Sequence, residues 1–154
     1  MSANLKLADE KAAVDAWLIA VSDDSPLGLE ALPDDVADRA RALAARRGGI
    51  GAVGATAIED AASPAVALVG VGAAARLTAR DVHRAAGHAA LTLAHAGAAR
   101  VGLAFDASGV GPLDANAFAA AMAEGLELAA YRYHEFRAPA DPATITELTA
   151  APAA

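Results

Sequence analysis

With 154 residues the chain has room for one domain, burying roughly 70% of the surface its unfolded form exposes, and none for a second complete one. A formal charge of −7 argues against unaided binding to nucleic acid or anionic membrane, and the absence of cysteine excludes disulfides, thiolate metal sites and a cysteine nucleophile. The 56% hydrophobic content is mostly alanine and valine with few aromatics, so small side chains on closely approaching elements must build the core.

The opening MSANLKLADEKAAVDAW lacks a basic segment leading into an apolar run and a small-residue cleavage site, so no secretory signal is expected. Within it NLKL suits a short strand. AWLIAVS, Ala16 to Ser22, reads as a buried strand bounded by the turn-forming DDSPLG, which leaves Asp23 and Asp24 in a loop. From Pro33 to Arg47 the pattern is helical: Pro33 suits a first helical position, Asp34 and Asp35 complement the dipole, and Val36, Ala40 and Leu43 share a face. Arg46 and Arg47 fall in the last turn, and Gly48 can end the helix. The following GGIGAVG matches G-x-G-x-x-G at Gly49, Gly51 and Gly54. It comes after a helix and leads into the strand-like VGATAIE, however, so it reads as a helix stop and a flexible link.

AVALVGVG is a continuous apolar run of the kind found in a central strand covered on both faces. Gly70, Gly72 and Ala75 at its end form G-x-G-x-x-A between a strand and a helix, the one candidate phosphate-binding turn of the chain. Against it, the acidic residue a dinucleotide fold places about 20 residues on is missing. Asp106, at the end of the next strand, lies 34 residues after Gly72, and AAARL separates the glycines from the helix cap.

Thr78 and Asp81 make a T-x-x-D cap for a helix from Ala79 to about Ala96, with Val82, Ala86, Ala89 and Leu93 inward, Arg84, His88 and His95 outward, and Gly97 as its stop. RVGLAFD, Arg100 to Asp106, is the next strand, followed by the loop ASGVGPLD. Asp114 then caps a helix to about Ala130 that turns Phe118, Met122, Gly125 and Ala129 inward. YRYHEFR alternates and predicts a half-exposed extended segment; after APADPA, TITELT is a further strand, and AAPAA resembles a linker. The order argues for an α/β fold with a mixed, mostly parallel sheet covered by helices on both faces. A single domain is expected over residues 1–149, with 150–154 starting a linker or tail. The longest small-apolar stretch, around Ala61 to Ala75, is shorter than the ~20 residues of a membrane span and is broken by Pro64, Gly70 and Gly72.

No catalytic constellation emerges. His83, His88 and His95 are five and seven residues apart, which does not stack two ligands on one helix face, and His134–Glu135 lacks the second histidine of a zinc-protease helix. Ser108 has no nucleophile-elbow glycines around it, and the pairs Asp23/Asp24 and Asp34/Asp35 have turn and helix-start roles. The cation groups Arg39, Arg41, Arg46, Arg47 and Arg76, Arg80, Arg84 read as solvated faces.

The order VALVGVG, then LTARDVHRAAGHAALTLAHAGAARVGLAF, then AAAMAEGLELAAYRYHEFR resembles the N-terminal domain of the leucyl (cytosol) aminopeptidase family. The residues carrying the resemblance are Leu68 to Gly72, Leu77 and Thr78, Ala85 to Gly97, Val101 to Phe105, Glu124 and Gly125, and Tyr131 to Arg137, with AVDAWLIAVSDD matching the family's first buried strand. The segment between Arg47 and Ala65 is shorter and richer in glycine than in the family, and His134 and Glu135 depart from its closing segment. The resemblance implies a macro-domain-like fold and a cytoplasmic, non-catalytic domain supporting assembly or active-site access in a hexameric parent enzyme. It also implies a C-terminal aminopeptidase domain and like subunits as partners, that absent domain carrying two divalent metals, Zn or Mn. The runner-up reading is a stand-alone macro-like module that holds a nucleotide or ADP-ribose at Gly70 to Ala75. Regulatory DNA binding, known in some members, is disfavoured by the net charge.

Overall fold

The computed structural model describes residues 4–7, 13–23, 25–104, 109–135 and 147–150. Seven strands, β1 (Asn4–Leu7), β2 (Ala16–Ser22), β3 (Ser25–Pro26), β4 (Thr56–Glu59), β5 (Ala65–Gly72), β6 (Arg100–Ala104) and β7 (Glu147–Ala150), form one sheet among the described residues. Its order is β1-β7-β6-β2-β5-β4, with β3 folding back on the end of β2. Neighbours are parallel except β4 on β5 and β3 on β2, so the sheet is mixed and mostly parallel.

Strand β2 sits at the centre and all seven of its residues are buried, as its uninterrupted apolar run requires when both faces are covered. Its alternation divides the core. Ala16, Leu18 and Ala20 join Val69, Leu93 and Phe118 beneath helices α2 (Ala79–His95) and α3 (Ala115–Glu135). Trp17, Ile19 and Val21 join Leu68, Val36 and Leu43 beneath α1 (Asp34–Arg47) on the other face. Three layers result.

The helices end where their chemistry dictates. In α1, Asp34 and Asp35 occupy the first turn and Arg46 and Arg47 the last, and Gly48 and Gly49 adopt φ of 56° and 63° to leave the helix. Pro33 lies one residue outside it, extended, its carbonyl accepting from Ala37 N at 3.0 Å. In α2 the Thr78 hydroxyl accepts from Asp81 N, as the T-x-x-D spacing predicts, and Gly97 leaves the helix end at φ 75°. Asp114 caps α3 by accepting from Ala117 N at 2.7 Å. Helices α2 and α3 cross at Gly125, where an added Cβ would stand 2.6 Å from Ala86 Cβ and 2.9 Å from the His83 carbonyl oxygen.

Three expectations change. YRYHEFR is not extended over residues 131–135: α3 continues through Glu135. Once a helix is nucleated each added residue gains a hydrogen bond, and no glycine or proline follows Gly125 until Pro139. Within DDSPLG, Ser25 and Pro26 make a short antiparallel strand on β2, too brief for any periodicity to show. GGIGAVG is not a flexible link, because its backbone hydrogen-bonds to the end of β5: Gly54 N to Gly70 O, Gly70 N to Ala55 O and Gly72 N to Gly51 O, at 2.8–3.0 Å. Residues 136–146, with the first half of TITELT, lie outside the described residues; its second half, from Glu147, is in β7.

Candidate functional site

The parallel strands β2 and β5 end side by side, and the chain leaves them toward opposite faces, β2 to α1 and β5 to α2. In open α/β sheets such a switch point is where ligands gather. Gly70, Gly72 and Ala75 stand here, and the structure shows what their surroundings already do.

Gly70 has both backbone groups engaged with the 48–55 loop, and the carbonyls of Ile50 and Ala52 take the space a side chain would need. Gly72, at φ 92°, gives its N–H to Gly51 O, and its carbonyl accepts from the Ser22 hydroxyl at 2.9 Å. That bond satisfies Ser22, the buried polar residue at the end of β2. Ala75 lies in a 3₁₀ turn, Ala74–Arg76. The first amide of that turn, Ala74 N, donates to Asp23 Oδ2 at 3.3 Å, with Asp23 itself in a left-handed conformation at φ 49°. Gly111 closes over the Ala74 carbonyl. A carboxylate of the chain itself therefore sits against the turn that would face an anion, and protein carbonyls take the amides of Gly70 and Gly72.

Sequence reasoning assigned Asp23 to a turn and did not connect it to Ala74, 51 residues away; only the pairing of β2 with β5 brings them together. The reciprocal packing of the two glycine groups, Gly51 to Gly54 on Gly70 and Gly72, was equally hidden. The signal available was that both groups matched the same motif.

The other candidates are dispersed. His83 on α2 contacts Glu124 on α3 at 3.2 Å, His88 packs its ring against Gly54, and His95 is exposed in the last turn of α2. Asp34 and Asp35 stay in the first turn of α1. Asp24, Asp106, Ser108 and the His134 and Glu135 side chains lie outside what is described. Among the described residues no three His, Asp or Glu side chains come close enough to hold a metal ion. A crevice between β6 and α3, bordered by Leu18, Ala20, Leu103, Phe118 and Met122, has no polar side chain among the described residues to orient a ligand.

Among the described residues two carboxylates, Asp15 and Glu59, are held below the usual range, and both lie at the other end of the strands from the Gly70 to Ala75 turn. Asp15, just before β2, accepts from Arg100 N at 2.8 Å and Arg100 Nη2 at 2.9 Å, and also from Ala99 N. Glu59 at the end of β4 is gripped by the Arg39 guanidinium at 2.9 and 3.2 Å. Each tie joins two elements and needs no catalytic explanation. No helix among the described residues is long and apolar enough to cross a membrane.

Among solved structures the chain is similar to the bottromycin maturation enzyme BotP (27% identity, TM-score 0.59, 92% of this chain and 28% of that one). A tomato leucine aminopeptidase mutant aligns at 18% identity with a TM-score of 0.66, over 97% of this chain and 32% of that one. The macrodomain of Thermus aquaticus DarG aligns at 12% identity with a TM-score of 0.54, over 99% and 98% of the two chains, which shows a shared macrodomain-like fold. The chain thus spans about a third of the two enzymes and nearly all of the macrodomain. No curated protein matches by sequence. The N-terminal domain of the cytosol aminopeptidase family matches over residues 26–140. That match takes in β5 with the Gly70 to Ala75 turn, all three helix starts and the Gly125 crossing, and by it the chain belongs to the cytosol aminopeptidase family, as its N-terminal domain.

Proposed function

We propose that the chain is a non-catalytic N-terminal domain supporting assembly or active-site access in a larger, metal-dependent leucyl aminopeptidase-like protein of the cytoplasm. The observation that carries this reading is the family match over residues 26–140. The coverage of only 28% of BotP and 32% of the tomato enzyme supports it. In this reading the catalytic residues and two divalent metals, Zn or Mn, belong to a C-terminal domain, which together with like subunits forms this domain's partners. Incubated alone with an amino-acid amide and Mn²⁺ or Zn²⁺, the chain is expected to release no amino acid.

The macrodomain-like fold motivates a second reading, a module that binds a nucleotide or ADP-ribose at Gly70 to Ala75. The geometry supports the first reading over it, since the amides of Gly70, Gly72 and Ala74 already have acceptors within the chain. Calorimetric titration with ADP-ribose separates the two: no heat of binding is expected, whereas a saturable one-to-one isotherm would establish the module.

A further inference from the structure

Gly87 stands in the middle of α2, where a glycine weakens a helix because its backbone has more freedom to lose on folding. Nothing among the described residues lies within 4 Å of the place its side chain would take, so no neighbour requires its smallness. Gly125 is the contrast: its missing side chain lets α3 pass close to Ala86 and the His83 backbone. The space above Gly87 opens outward instead.

Helix residues three, four and seven apart border one hollow on the surface, the kind that receives a side chain of a facing helix, and Arg84, Gly87, His88 and Leu91 have that spacing. Arg84, His88 and Leu91 are exposed, Leu91 at 45%, and Gly87 leaves the corner between them empty. The His88 ring is braced against Gly54, which fixes one side of the hollow. Arg80 and His95, both exposed, continue the row by one turn at each end. The row holds no acid: Asp81, the one acidic residue of α2, accepts from the Thr78 hydroxyl at the cap, at 3.0 Å. Neither arginine takes part in an ion pair among the described residues.

We infer that this face docks an acidic amphipathic helix of a different protein. The partner inserts an apolar side chain above Gly87, against Leu91, and sets a carboxylate one turn to either side, toward Arg80 and Arg84 at one end and the His95 N–H at the other. Charge complementarity selects an acidic partner, and the apolar centre selects a peptide over a nucleic acid, whose phosphates would find nothing to bind at Leu91. At about 0.1 M salt the Debye length is ~10 Å, so the arginines beside the hollow outweigh the more distant charges that make the chain −7 overall. The inference goes beyond the proposed function and holds whether or not the chain acts on an amide.

Calorimetric titration of the intact chain with a synthetic peptide tests this. The probe is an alanine-glutamine helix of about 20 residues, long enough to hold its conformation, with one central leucine and a glutamate one turn to either side. At about 0.1 M salt a saturable one-to-one isotherm is expected, weakening near 1 M, where the Debye length is ~3 Å. Gly87→Leu fills the hollow and is expected to abolish binding, while its thermal midpoint stays at or above that of the parent chain because leucine is the better helix former. Arg84→Glu, or glutamine in place of the peptide's leucine, is expected to weaken binding by about tenfold or more. No heat with the parent chain, binding indifferent to Gly87→Leu, or duplex DNA bound in preference to the peptide would overturn the inference. So would a rise in mass of the chain alone, in sedimentation velocity, that Gly87→Leu removes, because the hollow would then hold another copy. None of these readouts depends on whether the chain releases leucine from an amide, so the non-catalytic reading stands or falls separately.

Discussion

The Ala52 carbonyl oxygen occupies the place where a side chain on Gly70 would begin, and Ile50 contributes a second carbonyl to the same spot. Both obstacles are backbone atoms of a loop that is hydrogen-bonded to β5, so they cannot rotate aside. Gly70→Ala is therefore expected to cost about 3 kcal/mol, at the upper end of overpacking penalties, as read from urea denaturation. A loss within about 0.5 kcal/mol, the range of neutral surface changes, would show that the loop moves freely and that the turn has room for a ligand.

Gly125, at the α2–α3 crossing, and Gly87, on the open side of α2, predict opposite signs for the same substitution. Gly125→Ala gains about 1 kcal/mol of helix propensity but drives a methyl against Ala86 and the His83 backbone, at about 1–3 kcal/mol, so net destabilisation is expected. Gly87→Ala has open space and keeps the propensity gain, about 0.5–1 kcal/mol of added stability. Thermal melts of the two variants check the contrast.

Thr78 accepts from Asp81 N and donates to Asp81 Oδ2, at 3.2 and 3.0 Å. Thr78→Ala removes both bonds at the start of α2 and should cost about 0.5–2 kcal/mol, while Thr78→Ser should recover most of it. Equal losses in the two variants would assign the effect to the lost methyl group instead of the cap.

Acid should loosen the sheet at the end of the strands away from the Gly70 to Ala75 turn. The backbone N–H and guanidinium of Arg100 hold Asp15 below the ordinary carboxylate range, and Arg39 does the same for Glu59. A carboxylate with a lowered folded-state pKa contributes stability that is complete above its unfolded value, about 4, and is lost as pH falls through the lower folded value. The urea midpoint is expected to fall below about pH 4, with a shallower fall in Asp15→Asn than in the parent chain. An unchanged slope in that variant would count against the tie between β2 and β6.

Much of this architecture is legible in the sequence because its elements follow single local rules. The β2 and β5 runs are buried on both faces and therefore read as unbroken apolar stretches, and α2 announces its start through Thr78 and Asp81. What stayed hidden depends on partners distant along the chain or on competition between periodicities. The tie from Asp23 to Ala74 requires strands 50 residues apart to pair, as Ser22 and Gly72 do. Residues 131–135 alternate like a strand, yet extending α3 outweighs that pattern. The candidate turn at Gly70, Gly72 and Ala75 shows the same limit, since its motif is local while the carbonyls that fill it come from another loop.

The most direct measurement of the central claim is hydrolysis of leucine amide by the purified chain, with and without added Mn²⁺ or Zn²⁺, followed by release of free leucine. For a non-catalytic N-terminal domain the expected rate equals that of the metal-containing buffer at every chain concentration. Leucine release that scales with chain concentration and disappears on chelation of the metal would contradict it.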